Sequence, residues 1–313
     1  MISVGKNRLS GFTIVEILIV VVVVAALASV VAVSYSGITD RAKRSAIQQN
    51  LMQAGDLLQV YSIHNKRTFP VSLEAAEETT DIALTVYLVD TENKNYCATL
   101  TDGAFSYSIS SMLDKPVEGV CVENLAKNPS AAADITFWSL NQNGQLISRS
   151  ATQSRPGSHS SGSVMTTLQT LNSITTQLWN GSATALVPVG PDEKLTISGW
   201  VKADVAGRSM SMNARWRSAS ISEITPGSSI PSASMSTSWN RISFTSAAAP
   251  EGTVYGHVGF IYINGQPGDV FYIDDVMVTV GEIDYEYGDG DSPGWFWTGT
   301  PNASSSIGPS VPL

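Results

Sequence analysis

The sequence predicts an α+β fold, in which a long N-terminal α-helix is followed by a small antiparallel sheet and then by an all-β sandwich. Residues 11–33 form an almost unbroken apolar run, which is long enough to cross a bilayer as one helix. Residues 47–61 carry apolar side chains at spacings of four and three, the pattern of one helix face. Beyond residue 128, apolar and polar residues alternate between turns rich in Gly, Pro, Ser and Asn, which is typical of strands.

The N-terminal helix is expected to continue through both of the apolar segments. Its apolar face in the second segment is formed by Ile47, Leu51, Ala54, Leu58 and Tyr61. No proline lies between the start of the apolar run and Pro70, so nothing breaks the helix before that point. We therefore predict one helix over residues 12–65 and a second, short helix over residues 72–78.

The apolar run has an unusual start. A leader with Lys6 and Arg8 ends at Gly11-Phe12, and a single carboxylate, Glu16, lies inside the run. A charge at the centre of a bilayer costs roughly 2.5–3.5 kcal/mol, and somewhat less near its edge, so Glu16 should have a partner. These residues, GFTIVE followed by apolar residues, resemble the type IV prepilin signature.

The resemblance implies how the chain matures and where it is found. In that family a prepilin peptidase cuts after the glycine, the new N-terminal Phe is methylated, and the glutamate helps to align subunits in a filament. Carried over, residues 1–11 are the leader, Gly11 precedes the cut, Phe12 is the methylated N-terminus and Glu16 is the filament-assembly residue. The implied partners are other pilin subunits, the peptidase and the inner-membrane assembly platform. The protein would lie in the cytoplasmic membrane before assembly and in an extracellular surface filament, or fimbrium, afterwards.

Two other interpretations of this segment stay open. An ordinary secretory signal peptide could be cleaved after Ala26-Leu27-Ala28, although Glu16 and the helical pattern beyond this site argue against it. The segment could also be a plain membrane anchor. Lys and Arg flank the run on both sides, with more of them after it than before it, so the positive-inside rule does not decide the orientation.

The composition limits the size and the partners of the chain. Its 313 residues leave room for two small domains beyond the anchor. The formal net charge is −9, and the leader carries two cations and no acid, so the mature chain would be more acidic still. An acidic protein binds nucleic acid poorly on electrostatic grounds, and no nucleic-acid partner is expected.

The segment after the helix predicts a small head. The chain has two cysteines, Cys97 and Cys121; in an exported protein they are expected to pair, and two buried free thiols are the alternative. Strands are predicted over residues 82–89 and 104–110. The pattern YCATLTDGAFSYSIS followed by GVC resembles small pilin heads, in which a helix packs on a short antiparallel sheet and a disulfide ties down the end. Residues 12–127 are therefore interpreted as a pilin-like domain.

Residues 128–282 are predicted to form a separate all-β domain. Candidate strands cover residues 135–140, 163–168, 194–203, 209–217, 240–245, 253–263 and 269–280. This spacing favours a sandwich or jelly roll. The stretches NPS, LTISGWVKA, SWNRISFTSAAAPEG and FYIDDVMVTVGE resemble the carbohydrate-binding-module jelly rolls of secreted glycosidases and phage tail proteins. Residues 283–313 are expected to be a loop-like tail, disordered at its end.

Glycan binding by such modules requires exposed aromatic rings that stack on the apolar faces of sugars. The candidate glycan-binding residues are Trp179, Trp216 and Tyr262, and burial in the core is the alternative for each of them. Trp216 lies on a strand face that is either core or a concave groove. Trp200 and Trp239 lie in core-like strand positions and are expected to be packing residues.

Few residues suggest a metal site or catalysis. In related modules an Asp of the IDD segment often holds a structural calcium, which makes Asp274 and Asp275 the metal candidates, but three alanines replace the usual partner acid after NPS. Apart from this candidate calcium, no cofactor is expected. The three histidines lie outside any motif, and no catalytic-nucleophile, zinc or phosphate-binding pattern occurs. The sequence therefore predicts that the protein is not an enzyme.

These observations together predict a type IV pilus subunit. A long N-terminal helix with a small antiparallel-sheet pilin head would assemble the filament, and an all-β jelly-roll sandwich would serve adhesion by binding a surface glycan. The alternatives are a minor or tip pilin whose jelly roll is structural or binds protein, a pseudopilin of a type II secretion system, and a surface hydrolase held by a pilin-like anchor.

Overall fold

The computed structural model of the chain describes residues 13–142, 145–170 and 173–313. The chain divides into two compact units, Met1–Ile47 and Gln48–Leu313. The predicted leader, with Gly11 at its end, and the predicted mature N-terminus Phe12 lie outside the described residues. Their roles in cleavage and methylation therefore stay predictions.

One long helix, α1, spans Ile14–His64 and confirms the helix predicted over residues 12–65. The stretch Ile14–Val31 has a mean hydropathy of 3.1, and none of its residues is buried. A helix of this length and composition can cross a membrane, and a signal sequence has the same properties. The structure thus contains an N-terminal apolar helix that agrees with a membrane span.

The second unit contains a small head in which the latter part of α1 packs on a sheet. Leu51, Ala54 and Leu58 of α1 are fully buried, as their spacing predicts. A Cβ at Gly55 would lie 3.1 Å from Cδ1 of Ile109, so this glycine allows the helix to approach the sheet closely. Helix α2, Leu73–Thr80, follows and is capped by the side chain of Ser72.

Five strands complete the first part of the head: β1 Val86–Val89, β2 Tyr96–Asp102, β3 Phe105–Ser110, β4 Val117–Glu118 and β5 Val120–Asn124. The first four form an antiparallel sheet in the order β1-β2-β3-β4. A disulfide between Cys97 and Cys121 joins β2 to β5, with Cα atoms 5.8 Å apart. The predicted pairing is confirmed, and the alternative of two free thiols is wrong.

The all-β part of the chain follows, with twelve strands among its described residues. They are β6 Trp138–Leu140, β7 Leu146–Ser150, β8 Ser163–Thr167, β9 Ser173–Leu178, β10 Val187–Pro188, β11 Leu195–Ala203, β12 Ser209–Arg217, β13 Glu223–Ser229, β14 Ala233–Ser234, β15 Asn240–Thr245, β16 Tyr255–Ile263 and β17 Val270–Val280. A short 3₁₀ helix, Ala183–Ala185, precedes β10. The predicted bounds of β12 and β15 are confirmed at both ends.

These strands form two antiparallel sheets packed face to face. One sheet has the order β13-β12-β16-β9-β6, with β10 beside β16 and β14 beside β12; the other has the order β15-β11-β17-β8-β7. The buried core between them includes Leu195, Ile197, Met212, Phe260 and Phe271. The architecture is therefore a β-sandwich of the jelly-roll type, which agrees with the α+β class predicted for the chain.

Strand β17 contains a bulge. Ser198 of β11 pairs with Met277, but Trp200 pairs with Asp274, so β17 has one more residue than its partner in this interval. Asp275 lies in the bulge and has a left-handed backbone conformation, with φ of 50°. The bulge therefore brings two consecutive carboxylates, those of Asp274 and Asp275, to the same region of the sheet.

The C-terminal residues, predicted to be a loop-like tail that is disordered at its end, are mostly turns and loops but contain two short strands. Strands β18 Phe296–Trp297 and β19 Ser306–Ser310 make a three-stranded sheet in the order β18-β19-β5. Phe296 and Ile307 pack on the disulfide, and Trp295 packs on Val122 and Met277. The prediction missed these two strands because short apolar stretches separated by Gly and Asp become buried only against a partner that is distant in the chain.

Candidate functional site

One outer surface of the sandwich collects polar side chains. Along β12 and β16, alternate residues point away from the core, and pairing places Arg215 opposite His257 and Asn213 opposite Gly259. Gly259 in turn lies opposite Gln177 of β9. We call this surface the polar face and define it by six residues: Gln177, Trp179, Asn213, Arg215, Arg217 and His257.

Trp179 lies on the polar face just after the end of β9. Its ring centre is 4.8 Å from that of His257, and the guanidinium carbon of Arg217 is 4.5 Å from its ring. The indole Nε1 of Trp179 donates a hydrogen bond to the carbonyl oxygen of Ser182 at 3.1 Å. The backbone carbonyl oxygen of Trp179 accepts a hydrogen bond from the hydroxyl of Ser139. The ring is therefore held in place while it stays partly exposed.

Three polar atoms of this face are buried and have no hydrogen-bond partner among the described residues: Asn213 Oδ1, Arg217 Nε and His257 Nδ1. Asn213 is 6% exposed and His257 is 2% exposed. Such an atom typically costs about 1–3 kcal/mol when no partner reaches it. A ligand hydroxyl would reach these atoms only after the side chains that cover them, such as the Trp179 ring beside His257, moved aside.

The charge state of His257 follows from its surroundings. Burial lowers the pKa of His257 to about 3, with further contributions from the positive charges of Arg217 and Arg215. The imidazole is therefore neutral at neutral pH, with one ring nitrogen that donates and one that accepts. A neutral ring can bond a sugar hydroxyl in either direction.

A small polar cavity of about 230 Å³ adjoins the polar face between β12 and β13. Asn213 and Arg215 line it, together with Glu223, whose Oε1 accepts a hydrogen bond from Nη1 of Arg215 at 2.6 Å. A Cβ at Gly259 would lie 2.6 Å from Asn213 Oδ1, so only glycine allows the Asn213 side chain to lie where it does. The polar face therefore offers one aromatic ring that can stack on a sugar and several polar side chains that can form hydrogen bonds with its hydroxyl groups.

Two of the predicted glycan-binding residues are buried, and the prediction was wrong for them. Trp216 is 1% exposed and Tyr262 is 0% exposed, and both belong to the core between the sheets. Trp200 and Trp239, predicted to be packing residues, lie half-buried at the outside of the opposite sheet. Alternation shows which residues of a strand share a face, but it does not show which face is buried. Choosing the wrong face exchanges the buried and exposed residues of the whole strand.

The sequence reasoning missed Asn213, His257 and Gln177. The available signal was the alternation itself, since Asn213 precedes Arg215 and Arg217 on one face of β12, opposite the apolar residues of that strand. His257 lies in the same phase of β16, between Gly256 and Val258. A polar residue at such a position of the alternation is expected to point away from the core. The alternation does not predict that neighbours on the same outer face bury it.

The candidate calcium residues do not fit a metal site as they stand. Asp274 accepts hydrogen bonds from the backbone N–H groups of Arg155 and Asp275, each at 2.8 Å. Asp275 accepts from Nε of Arg155 at 2.5 Å and from the hydroxyl of Ser158 at 2.7 Å. Every oxygen of the pair thus has a donor, and the guanidinium of Arg155 supplies the positive charge.

The described residues also contain no group of three His, Cys, Asp or Glu side chains that could hold a metal ion. Burial and the charge of Asp275 raise the pKa of Asp274 to about 8, which reflects how little the surroundings compensate its charge. We therefore assign Asp275 to a structural ion pair with Arg155, and Asp274 to hydrogen bonds with the backbone N–H groups of Arg155 and Asp275.

Glu16, the predicted assembly residue, forms a capping box at the start of α1. The N–H and hydroxyl groups of Thr13 donate to Oε2 of Glu16 at 2.8 and 2.9 Å, and the N–H of Glu16 donates to the Thr13 hydroxyl oxygen at 3.3 Å. Within the chain, the carboxylate thus caps the start of the helix. Its predicted role between subunits stays a prediction.

No protein-family model and no curated protein matches the chain. Among solved structures, it is similar to the CBM22-1 xylan-binding domain from Paenibacillus barcinonensis Xyn10C, with 15% identity, 53% of this chain and 97% of that chain covered, and a TM-score of 0.39. It is also similar to TmCBM61 in complex with β-1,4-galactotriose, with 14% identity, coverage of 50% and 99%, and a TM-score of 0.36.

A further similar structure is the enzymatically active domain of bacteriophage CBA120 tailspike protein 4. Identity is 15%, the TM-score is 0.39, and the match covers 50% of this chain but only 21% of the tailspike chain. Carbohydrate-binding-module jelly rolls are thus among the structural neighbours of this chain. Xylan and galactotriose are ligands of those two proteins.

Proposed function

We propose that this protein binds a glycan through the polar face. The observation that carries the proposal is the group of three buried, unpartnered polar atoms on Asn213, Arg217 and His257 beside the partly exposed ring of Trp179. Sugars combine apolar ring faces with dense hydroxyl groups, so one stacked ring surrounded by donors and acceptors matches their chemistry. Binding, with a shift of the side chains that cover them, would give the unpartnered atoms the hydrogen bonds that they lack within the protein.

The test uses the full chain in detergent micelles on a glycan array, followed by titration of the best ligand. Trp179→Ala should weaken binding by more than about 1 kcal/mol, the value of one stacked aromatic contact. Asn213→Ala should also weaken it, because a polar partner for a hydroxyl is lost. Trp297→Ala, which changes a half-buried tryptophan in β18, is the matched control. Absence of any glycan ligand, or equal binding by Trp179→Ala, would contradict the proposal.

We further propose that the chain is a pilin-like filament subunit that carries this binding surface to the cell exterior without enzymatic activity. Support comes from the GFTIVE start and from the unburied apolar stretch Ile14–Val31 that follows it. In the filament, the carboxylate of Glu16 would have no water around it. Its best partner there is the free amino group of Phe12 on a neighbouring subunit.

This second proposal has its own test, which does not depend on glycan binding. The intact mass of the purified protein should correspond to a start at Phe12, and a start at Ser29 would contradict the proposal. Glu16→Ala should be cleaved normally but should enter filaments poorly. Glu74→Ala, which changes an exposed acid of α2, is the control. Filament numbers in Glu16→Ala that equal those of the wild type would count against the assembly role.

A further inference from the structure

The opposite sheet of the sandwich carries a second cluster of aromatic rings. Trp200 and Lys202 alternate with core residues on β11, and Lys202 lies opposite Tyr272 of β17. A cavity of about 420 Å³ opens here, with Trp200 and Trp239 among its lining residues. We call it the aromatic cleft and define it by Arg155, Trp200, Lys202, Thr237, Ser238 and Trp239.

The walls of the aromatic cleft are held in place by contacts with one another and with residues outside the cleft. The guanidinium carbon of Arg155 lies 4.9 Å from the Trp200 ring, and Nε of Arg155 donates to Asp275 at 2.5 Å. The Trp239 ring centre is 6.4 Å from that of Tyr272. Both tryptophans are half-buried, so each keeps ring surface available while its orientation is restrained.

The charge in the aromatic cleft is positive. Its lining includes two cations, Arg155 and Lys202, and no carboxylate. Arg155 is paired with Asp275, but Nζ of Lys202 donates to the neutral amide oxygen of Gln153 at 2.6 Å and lies 5.7 Å from the Tyr272 ring. No ion pair of the described residues includes Lys202. Its charge is therefore available to an anion.

We propose that the aromatic cleft is a second saccharide site that takes a sugar unit bearing a carboxylate, such as a uronic acid. The ring of Trp239 would stack on the apolar face of the sugar, and the ammonium of Lys202 would pair with the carboxylate. The chain as a whole carries a formal charge of −9 and would repel a polyanion, so Lys202, a cation outside the ion pairs of the described residues, marks a place where one can bind. This site shares no residue with the polar face.

The probe is polygalacturonate, which carries one carboxylate per sugar, and its methyl-esterified form is the neutral comparison. The full chain in detergent micelles should bind the acidic polymer more tightly than the ester. Lys202→Gln should weaken binding of the acid about fivefold and leave binding of the ester unchanged. Trp239→Ala should weaken binding of both polymers, because stacking does not depend on the charge.

Two control variants distinguish the aromatic cleft from general surface charge and from the polar face. Lys194→Gln removes a surface lysine that already pairs with Glu282 at 2.8 Å, and binding should not change. Trp179→Ala removes the ring of the polar face and should also leave polygalacturonate binding intact, even if the glycan proposal for that face fails. Melting temperatures confirm that each variant is folded.

The proposal is overturned if the wild-type chain does not bind polygalacturonate. It is also overturned if Lys202→Gln and Trp239→Ala bind the acid as the wild type does. Loss of binding in Trp179→Ala alone would assign the polymer to the polar face and would likewise overturn the proposal.

Discussion

His257 shows how the surroundings of one residue set the chemistry of the polar face. The groups that face it are the ring of Trp179 and the guanidinium groups of Arg215 and Arg217, which share one carboxylate, that of Glu223. Burial and these positive charges lower the pKa of His257 to about 3, against a usual value of about 6.5. The ring can therefore act as a neutral hydrogen-bonding group over the whole physiological pH range.

The low pKa has a consequence for stability at acid pH. The unfolded chain takes up a proton on His257 as the pH falls below about 6.5, whereas the folded chain does not do so until about pH 3, so acidification through this window favours unfolding. In His257→Gln this contribution is absent. From pH 7 to pH 5, the wild type should lose about 2 kcal/mol of unfolding free energy relative to the variant. Urea unfolding at both pH values checks this, and parallel losses in the two proteins would refute it.

Arg155 is the second residue whose role can be tested by itself. Its guanidinium is the counter-charge for Asp275, whose side chain is fully buried. Arg155→Met keeps most of the side-chain volume but leaves that carboxylate unpaired, so we expect a loss of about 3–5 kcal/mol in unfolding free energy. Arg215→Met is the control, because its pair with Glu223 is half-exposed and should contribute about 1 kcal/mol or less.

The same residue decides whether the fold needs calcium. Since Arg155 supplies the positive charge, a chelator should not lower the melting temperature of the wild-type protein, and added calcium should not raise it. Differential scanning calorimetry with EDTA and with calcium measures both. A drop in melting temperature with EDTA would show that a cation binds where we assign the ion pair.

At the level of elements, the C-terminal strands tie the head to the sandwich. Strand β19 pairs with β5 of the head, and Trp295 just before β18 packs on Met277 of β17. Asn124 lies at the end of β5, and its side-chain Nδ2 donates to the carbonyl oxygens of Val276 and Gly288, each at 3.0 Å. A Cβ at Gly308 would lie 2.3 Å from the Trp295 ring, so that glycine makes room for the indole. The last residues of the chain are therefore structural.

Trp295 is the residue through which this element can be tested. It is 5% exposed, and its Nε1 donates to the carbonyl oxygen of Pro309 at 3.0 Å. Trp295→Ala should destabilise the protein by about 3–5 kcal/mol, because a large buried side chain leaves a cavity. Trp297→Ala, two residues further on and half-buried, should cost clearly less. Equal, small shifts in chemical denaturation for the two variants would contradict a structural role for the tail.

At the level of the whole molecule, the core of the sandwich is separate from the apolar N-terminal stretch. The buried residues of that core lie between Ala126 and Val278, and the two outer faces are formed by the same strands. No residue of the apolar stretch Ile14–Val31 is buried, and none belongs to that core. The proposed binding surfaces and the candidate membrane span therefore lie in different parts of the chain.

A shortened chain tests this separation. A protein that starts at Asp40 lacks the apolar stretch but keeps the rest of α1, including the buried residues from Ile47 onwards. It should stay soluble without detergent, melt cooperatively, and bind the same ligands with the affinity of the full chain in micelles. Size-exclusion chromatography and titration measure this. Aggregation of the shortened chain, or loss of binding by a folded one, would show that the two parts depend on each other.

The sequence by itself determined the features that depend on local pattern. An apolar run without proline predicts α1, a serine before a helical turn predicts the start of α2, and strict alternation predicts β12 and β15 with correct ends. The cysteine pair was also predictable, because an exported chain with two cysteines has one way to pair them. For the helices and strands, neighbouring residues contain the whole signal, whereas for the disulfide the count of cysteines is enough.

Only the tertiary structure decided which face of each strand is buried and what the tail does. Alternation places Trp216 and Trp200 on definite faces of their strands, but the layer packed on each face determines that Trp216 lies in the core and Trp200 lies outside. The pairing of Ser306–Ser310 with β5 joins segments far apart in the chain, and the unpartnered atoms on Asn213 and His257 arise from neighbours on other strands. Burial is a property of the assembled layers, so the pattern of a single segment does not contain it.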